Sequence, residues 1–196
     1  MKNNFWLAFL FSLVLVLSLF TNKVVAQFNY QELPPTLITA IRQDFLQHRE
    51  GFDSYWRESK DHRVFFIDLN NDRIKEAILY PAGGTICSNR SCSIYIYTKI
   101  GNKYKRISAN TTDGYSAIIG SRNEPSIGVL NSSRKGWRDL ATRLFDYDTR
   151  TEKWSRISYG SRGYATDSPL VTVPEPRTIL ASSSAIKTDF RKVFAP

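Results

Sequence analysis

The chain has 196 residues, with 27 Lys and Arg against 18 Asp and Glu, 42% hydrophobic and 13% aromatic; this is the composition of one foldable domain and excludes collagen-like, low-complexity and disordered classes. Two cysteines exclude a disulfide-dense miniprotein and a four-cysteine zinc ribbon, while two histidines, no Gly-rich phosphate loop and no nucleophile signature leave the familiar enzyme classes without their working groups. The formal charge of +9 comes from scattered cations that never form a run of four, which is no nucleic-acid arm but suits either plain solubility or attraction to anionic envelope surfaces.

In chain order, Lys2, the apolar run Phe5 to Phe20 and the small-residue site Val24-Val25-Ala26 read as a signal peptide over residues 1–26, cut after Ala26. The run is short for an uncleaved anchor across about 30 Å of hydrocarbon. The expectation is therefore a secreted or periplasmic protein with no transmembrane span after cleavage. Only Lys2 and Lys23 leave with the leader, so the mature chain keeps a formal charge of +7.

Pro34-Pro35-Thr36 followed by Leu37, Ile38, Ile41, Phe45 and Leu46 has the apolar spacing of a helix opened by proline, predicted over 35–48. From residue 63 the pattern changes to short β-branched and aromatic runs. Val64–Ile67, Ala77–Tyr80, Ser93–Tyr97, Tyr104–Ser108, Ile127–Leu130, Leu140–Tyr147 and Trp154–Tyr159 are strand candidates, with Ala117–Ile119 a weaker eighth. The short connections between Ile96 and Ile107 and between Phe145 and Trp154 make those neighbours antiparallel hairpins. The predicted fold is α+β: one N-terminal helix on a curled antiparallel sheet of about six to eight short strands, with Phe65, Ile67, Ile94 and Ile96 beneath the helix. Residues 27–160 form this domain, and residues 161–196, rich in Pro and Ser, are expected to be a flexible tail.

Asp68-Leu69-Asn70-Asn71-Asp72-Arg73-Ile74-Lys75-Glu76 places oxygen side chains at positions 1, 3, 5 and 9 of a tight loop between two strands. Calcium takes six to eight oxygens, and Asp68, Asn70, Asp72, Glu76 and the Ile74 carbonyl, with water, could supply them. The position that calcium loops of the Asp-x-Asp-x-Asp-Gly type give to glycine is Arg73, a strained choice that also puts a cation beside the ion. Two readings stay open: a weak calcium site, or a polar turn whose side chains cap backbone amides. No other cofactor is expected. A metal-dependent hydrolase built on Asp68, Asp72 and Glu76 is the alternative function.

Phe66-Ile67-Asp68-Leu69-Asn70-Asn71-Asp72, Glu76-Ala77-Ile78-Leu79-Tyr80, Cys87, Cys92 and Gly136-Trp137-Arg138-Asp139-Leu140 together resemble a group of small exported bacterial proteins with a calcium-like loop, a cysteine pair and a Gly-Trp-x-Asp-Leu strand. The resemblance implies export, the cysteine bridge and the strand order, and no catalytic residue. Cys87 and Cys92, with four residues between them in an exported chain, are expected to form a disulfide. Val173-Pro174-Glu175-Pro176-Arg177 resembles the start of a Pro-Glu-Pro C-terminal sorting signal, but the apolar span such a signal needs does not follow.

Tyr55-Trp56-Arg57 with Tyr95 and Tyr97 offers the aromatic and arginine composition of a binding face; on Tyr95-Ile96-Tyr97 the tyrosines face opposite to the isoleucines, so they either form an exposed ladder or pack under the helix with the isoleucines facing elsewhere. His48 and His62 stand at loop edges and suggest no acid–base pair. The functional expectation is a non-catalytic exported binding domain for an envelope polysaccharide, peptidoglycan or a protein partner, with no catalytic residue and no nucleic acid bound.

Overall fold

The structure, a computed structural model, describes residues 33–48, 62–80, 91–109, 118–121, 127–146, 149–166, 171–180 and 185–188. Among these lies one helix, α1 (Pro35–His48), on the residues where the apolar spacing predicts it. The Pro34 carbonyl accepts from Leu37 N at 2.9 Å and Ile38 N at 3.1 Å, so the first turn closes on a residue whose successor, Pro35, has no N–H to leave unpaired.

Twelve strands follow: β1 (His62–Ile67), β2 (Glu76–Tyr80), β3 (Ser91–Ile100), β4 (Lys103–Arg106), β5 (Ile118–Ser121), β6 (Ile127–Arg134), β7 (Trp137–Asp146), β8 (Thr151–Gly160), β9 (Gly163–Thr166), β10 (Thr172–Val173), β11 (Thr178–Leu180) and β12 (Ile186–Thr188). The described residues are thus mostly sheet with one short helix, and their strands form two antiparallel sheets rather than one. Sheet one runs β12-β1-β2-β3-β4 with β5 on β3; sheet two runs β10-β8-β7-β6-β11 with β9 on β8. Each predicted run overlaps an observed strand, Ala117 and Tyr147 lying outside the described residues, and both predicted hairpins are present, with Ile96 O accepting from Ile107 N at 2.7 Å and Phe145 opposite Glu152.

Sheet one is covered on both faces. Leu33, Leu37, Ala40 and Ile41 pack on Val64, Ala77, Leu79 and Tyr97, while Phe65, Ile78, Tyr80, Ile94 and Ile96 pack against Ile127, Val129, Leu140, Ile157 and Tyr164 of sheet two. The side chains expected beneath the helix therefore face the other sheet. Alternation along a strand says which residues share a face, not which partner covers that face. With β2 covered by apolar side chains on both faces, Ala77-Ile78-Leu79-Tyr80 is fully buried, and each such side chain contributes roughly 1.5–3 kcal/mol relative to exposure when it is a large aliphatic.

The segment after Ser161, expected to be a free tail, instead supplies strands to both sheets: β9 and β10 pair with β8, β11 pairs with β6, and β12 pairs with β1. Between β10 and β11 the chain crosses the outer face of sheet two as a strap. Gly128 and Ala141 are register partners, as are Arg143 and Trp154, and all four lie opposite the inner residues Ile127 and Leu140. Over this face Glu175 reaches Arg143 at 3.6 Å, Arg143 lies 5.2 Å above the Trp154 ring, and Pro176 is buried on Gly128. A Cβ on Gly128 would overlap the Pro176 ring, so the strap sits this close because that strand position has no side chain. The Pro-Glu-Pro segment is a structural part of the domain.

The two sheets are also joined through main chain. Tyr164 N donates to the Ile107 carbonyl at 2.6 Å and the Tyr164 carbonyl accepts from Ala109 N at 2.7 Å, so the residues just after β4 pair with β9. Gly163, at φ 93°, makes this approach possible, since a side chain there would overlap the Ile107 carbonyl.

Candidate binding surface

The acidic loop is shaped by its own side chains. Asp68 Oδ1 accepts from Asn70 N at 3.3 Å and its Oδ2 from Arg73 N at 2.9 Å; Asn70 Oδ1 accepts from Asp72 N at 3.1 Å; Asp72 Oδ1 accepts from Ile74 N at 2.6 Å and its Oδ2 from Asn70 Nδ2 at 2.8 Å. These bonds hold a chain of turns in which Asn71 (φ 60°) and Arg73 (φ 69°) are left-handed. Asparagine tolerates that region, whereas arginine is strained in it. Arg73 thus occupies the conformation that a glycine would take at the same place.

Glu76, the fifth expected ligand, points elsewhere. Its Oε2 accepts from Leu69 N at 2.8 Å and its Oε1 from Thr98 Oγ1 at 3.0 Å, and the residue is fully buried. Loss of solvation pushes its carboxyl above the ordinary range, the nearby Asp72 charge adds to this, and the bonds from Leu69 and Thr98 oppose it. Among the described residues no group of three His, Cys, Asp or Glu side chains is placed to hold a metal ion. Asp68, Asn70, Asp72 and the Ile74 carbonyl share the turn, and Glu76 serves instead as a clamp between the loop and β3. A hydrolytic centre needing Asp68, Asp72 and Glu76 on one ion does not fit this arrangement.

Of the two readings of the strand tyrosines, exposed ladder or packing under the helix, the second is the one observed. Tyr97 is fully buried and Tyr95 packs beside it against α1. Burial pushes the Tyr97 hydroxyl well up, and Asp44 raises it further while Arg106 opposes; Arg106 Nε stands 3.7 Å from Asp44 Oδ2. Tyr95 and Tyr97 therefore belong to the helix–sheet contact and not to an exposed face. Tyr55, Trp56, Arg57 and Cys87, the leader over residues 1–26 and the side chains of His48 and Cys92 lie outside the described residues. His62 is buried in β1 rather than at a loop edge.

An aromatic surface does form, at an end the sequence reading passed over. The main-chain N–H of Arg138 donates to the Leu69 carbonyl at 2.7 Å, and Tyr164 Oη donates to the Arg138 carbonyl at 2.7 Å. These two bonds bring together the 68–75 loop, the β6–β7 turn at Lys135-Gly136 and the β8–β9 turn at Ser161-Arg162. Trp137 stacks on Tyr159 with ring centroids 4.8 Å apart and interplanar angle 23°, and Tyr164 meets both rings edge-on. Trp137 and Tyr159 are half-buried, while Arg73, Lys75 and Lys135 on the adjoining turns are exposed. Lys135 (φ 53°) and Gly136 (φ 82°) make a two-residue hairpin turn with both residues left-handed, which fixes Trp137 as the first residue of β7. The local signals were visible as an aromatic after Lys-Gly and as two tyrosines flanking Gly-Ser-Arg-Gly. Their partnership across more than twenty residues was not.

Comparison with protein-family models, curated proteins and solved structures finds no match for this chain.

Proposed function

We propose that the protein is an exported, non-catalytic binding domain whose partner is an envelope polymer, held at the end that carries Trp137 and Tyr159. The observation that supports this reading is the stacked aromatic pair set among three converging turns with exposed cations. Aromatic faces and adjacent cationic donors are the composition of a recognition surface, and the loop carboxylates that a hydrolase would use are engaged with their own backbone. A protein partner at the same end is the other form of the proposal.

The leader, the Cys87–Cys92 bridge and a weak calcium site at Asp68, Asn70, Asp72 and Ile74 belong to the same proposal. Secreted material should begin at Gln27 by mass spectrometry, and free-thiol labelling of denatured, unreduced protein should be negative. The deciding experiment incubates the mature protein with cell-wall fractions: retention at low salt that falls in Trp137→Ala supports the reading. Equal retention of wild type and variant removes the site, and no retention removes the polymer. Activity screening with and without chelator separates a binding domain from the hydrolase.

A further inference from the structure

We infer that the polymer held at the Trp137 end is acidic, a glycan bearing carboxylate or phosphate on its repeating units; this deepens the preceding proposal and rests on it. Arg73, Lys75 and Lys135 lie on the turns that the Arg138–Leu69 and Tyr164–Arg138 bonds join, and Arg138 is the second residue of β7, beside the Lys135-Gly136 turn. Among the described residues none of the four takes part in an ion pair. Arg134 and Arg162 stand on the same turns and add to the field, though each has interactions of its own.

The acids at this end offset those cations only in part. Glu76 and Asp139 are buried, the latter bonded to Ser132 Oγ at 2.8 Å, while Asp68 and Asp72 turn their oxygens to Asn70, Arg73 and Ile74. Asp68 and Asp72 keep their charges, yet the six cations Arg73, Lys75, Arg134, Lys135, Arg138 and Arg162 outnumber the four acids Asp68, Asp72, Glu76 and Asp139, so this end is net positive and its complement is an anion.

A small anion is a poor occupant. One solvent-exposed ion pair is worth little against screening and side-chain entropy. A chain that repeats its charge engages several of these cations at once, each contact raising the effective concentration of the next. An anionic bilayer is the less suitable partner, because among the described residues Ile74 is the one large apolar side chain on these turns that is exposed, and peripheral membrane binding draws on a broader apolar face. The half-buried Trp137–Tyr159 pair suits a sugar ring, which stacks on an aromatic face while its acid group meets the rim.

The test uses the mature full-length protein and four probes: polygalacturonate, glycerol-phosphate teichoic acid, neutral dextran, and vesicles containing phosphatidylglycerol. Binding is followed by interferometry at low and physiological salt. The expected result is binding to at least one polyanion, weakened by salt, by about tenfold in the pair Lys135→Gln with Arg138→Gln, and by Trp137→Ala. The pair Lys103→Gln with Lys105→Gln, on the β3–β4 hairpin, removes the same charge elsewhere and should leave affinity within about twofold. Equal losses in the two pairs would show attraction to net charge only and overturn the inference. Dextran binding as tight as polyanion binding, sensitive to Trp137→Ala alone, would overturn it while leaving the surface standing. Binding to vesicles and to neither polyanion would also overturn it. Binding to no probe, together with no retention on cell-wall fractions, would remove both the inference and the polymer reading.

Discussion

Glu76 joins three pieces of chain through two hydrogen bonds, and its environment sets their cost. Glu76→Ala removes the acceptor for the buried Leu69 N–H, and stranding such a donor costs roughly 1–3 kcal/mol. Glu76→Gln keeps an acceptor for Leu69 and offers an N–H to the Thr98 hydroxyl, so it should lose less; urea denaturation at neutral pH measures the difference. The sign of the pH effect follows from burial, which raises the native carboxyl above its unfolded value. Between the ordinary value of about 4.3 and the raised native one, the folded state holds the extra proton, so stability falls as pH rises through that window. Glu76→Gln should flatten that slope, and identical pH dependence in wild type and variant would remove Glu76 as its source. At Arg73 the left-handed backbone (φ 69°) costs a non-glycine residue roughly 1 kcal/mol. Arg73→Gly should therefore leave stability unchanged or raise it by up to about 0.6 kcal/mol without calcium, net of the extra chain freedom glycine brings. With 1 mM calcium and an affinity of 10⁻⁴–10⁻³ M, wild type should gain about 0.4–1.4 kcal/mol, read as a small rise in Tm that Asp72→Ala abolishes. Melting curves that are the same in calcium and in chelator, for wild type and Arg73→Gly alike, would leave the loop as a polar turn only.

At the scale of elements, the strap and the β4–β9 junction each depend on a glycine with no room for a side chain. Gly128→Ala forces the Pro176 ring off sheet two, an overpacking change of about 1–3 kcal/mol. Because the clash is with one partner, Pro176→Gly in the same chain should recover part of the loss, and a double-mutant cycle with coupling near zero would mean the strap does not press on that strand. Gly163→Ala meets the Ile107 carbonyl and adopts an unfavourable φ, so no partner substitution should rescue it. The elements themselves were legible: the proline-opened helix and eight strand runs follow from local period and turn chemistry. What local pattern could not carry was partnership. Tyr95 and Tyr97 read equally well as a surface ladder or as a buried stripe, because alternation is blind to the neighbour on either side. β10, β11 and β12 are two or three residues long, too short for any period to announce, and they exist because long strands elsewhere offer them edges. The Trp137 surface escaped notice for the same reason, being made by contacts between turns distant in sequence.

For the whole molecule, the described strands beyond Thr166 are structural. Truncation after Thr166 removes the strap, β10, β11 and β12, leaves Ala141 and Trp154 without the chain that crosses their face, and strips the end strand from one edge of sheet one and from both edges of sheet two. The shortened protein should lose cooperative thermal unfolding and bind hydrophobic dye, whereas a melting curve that matches full length would make the segment an appendage.

The pairing of β1 with β12, His62 against Thr188 and Val64 against Ile186, also orders events in time. A chain emerging N-terminus first can form the β1–β2, β3–β4 and β7–β8 hairpins as each is released, since their partners are near neighbours. It cannot finish the β1 edge, or close the strap over sheet two, until residues beyond 170 are free. Such distant partners raise the contact order, which places folding in the slow range of β-rich domains. Folding on release rather than during synthesis is the natural course for this topology, and a chain that stays open until its far end is free is one that can still be threaded through a narrow channel.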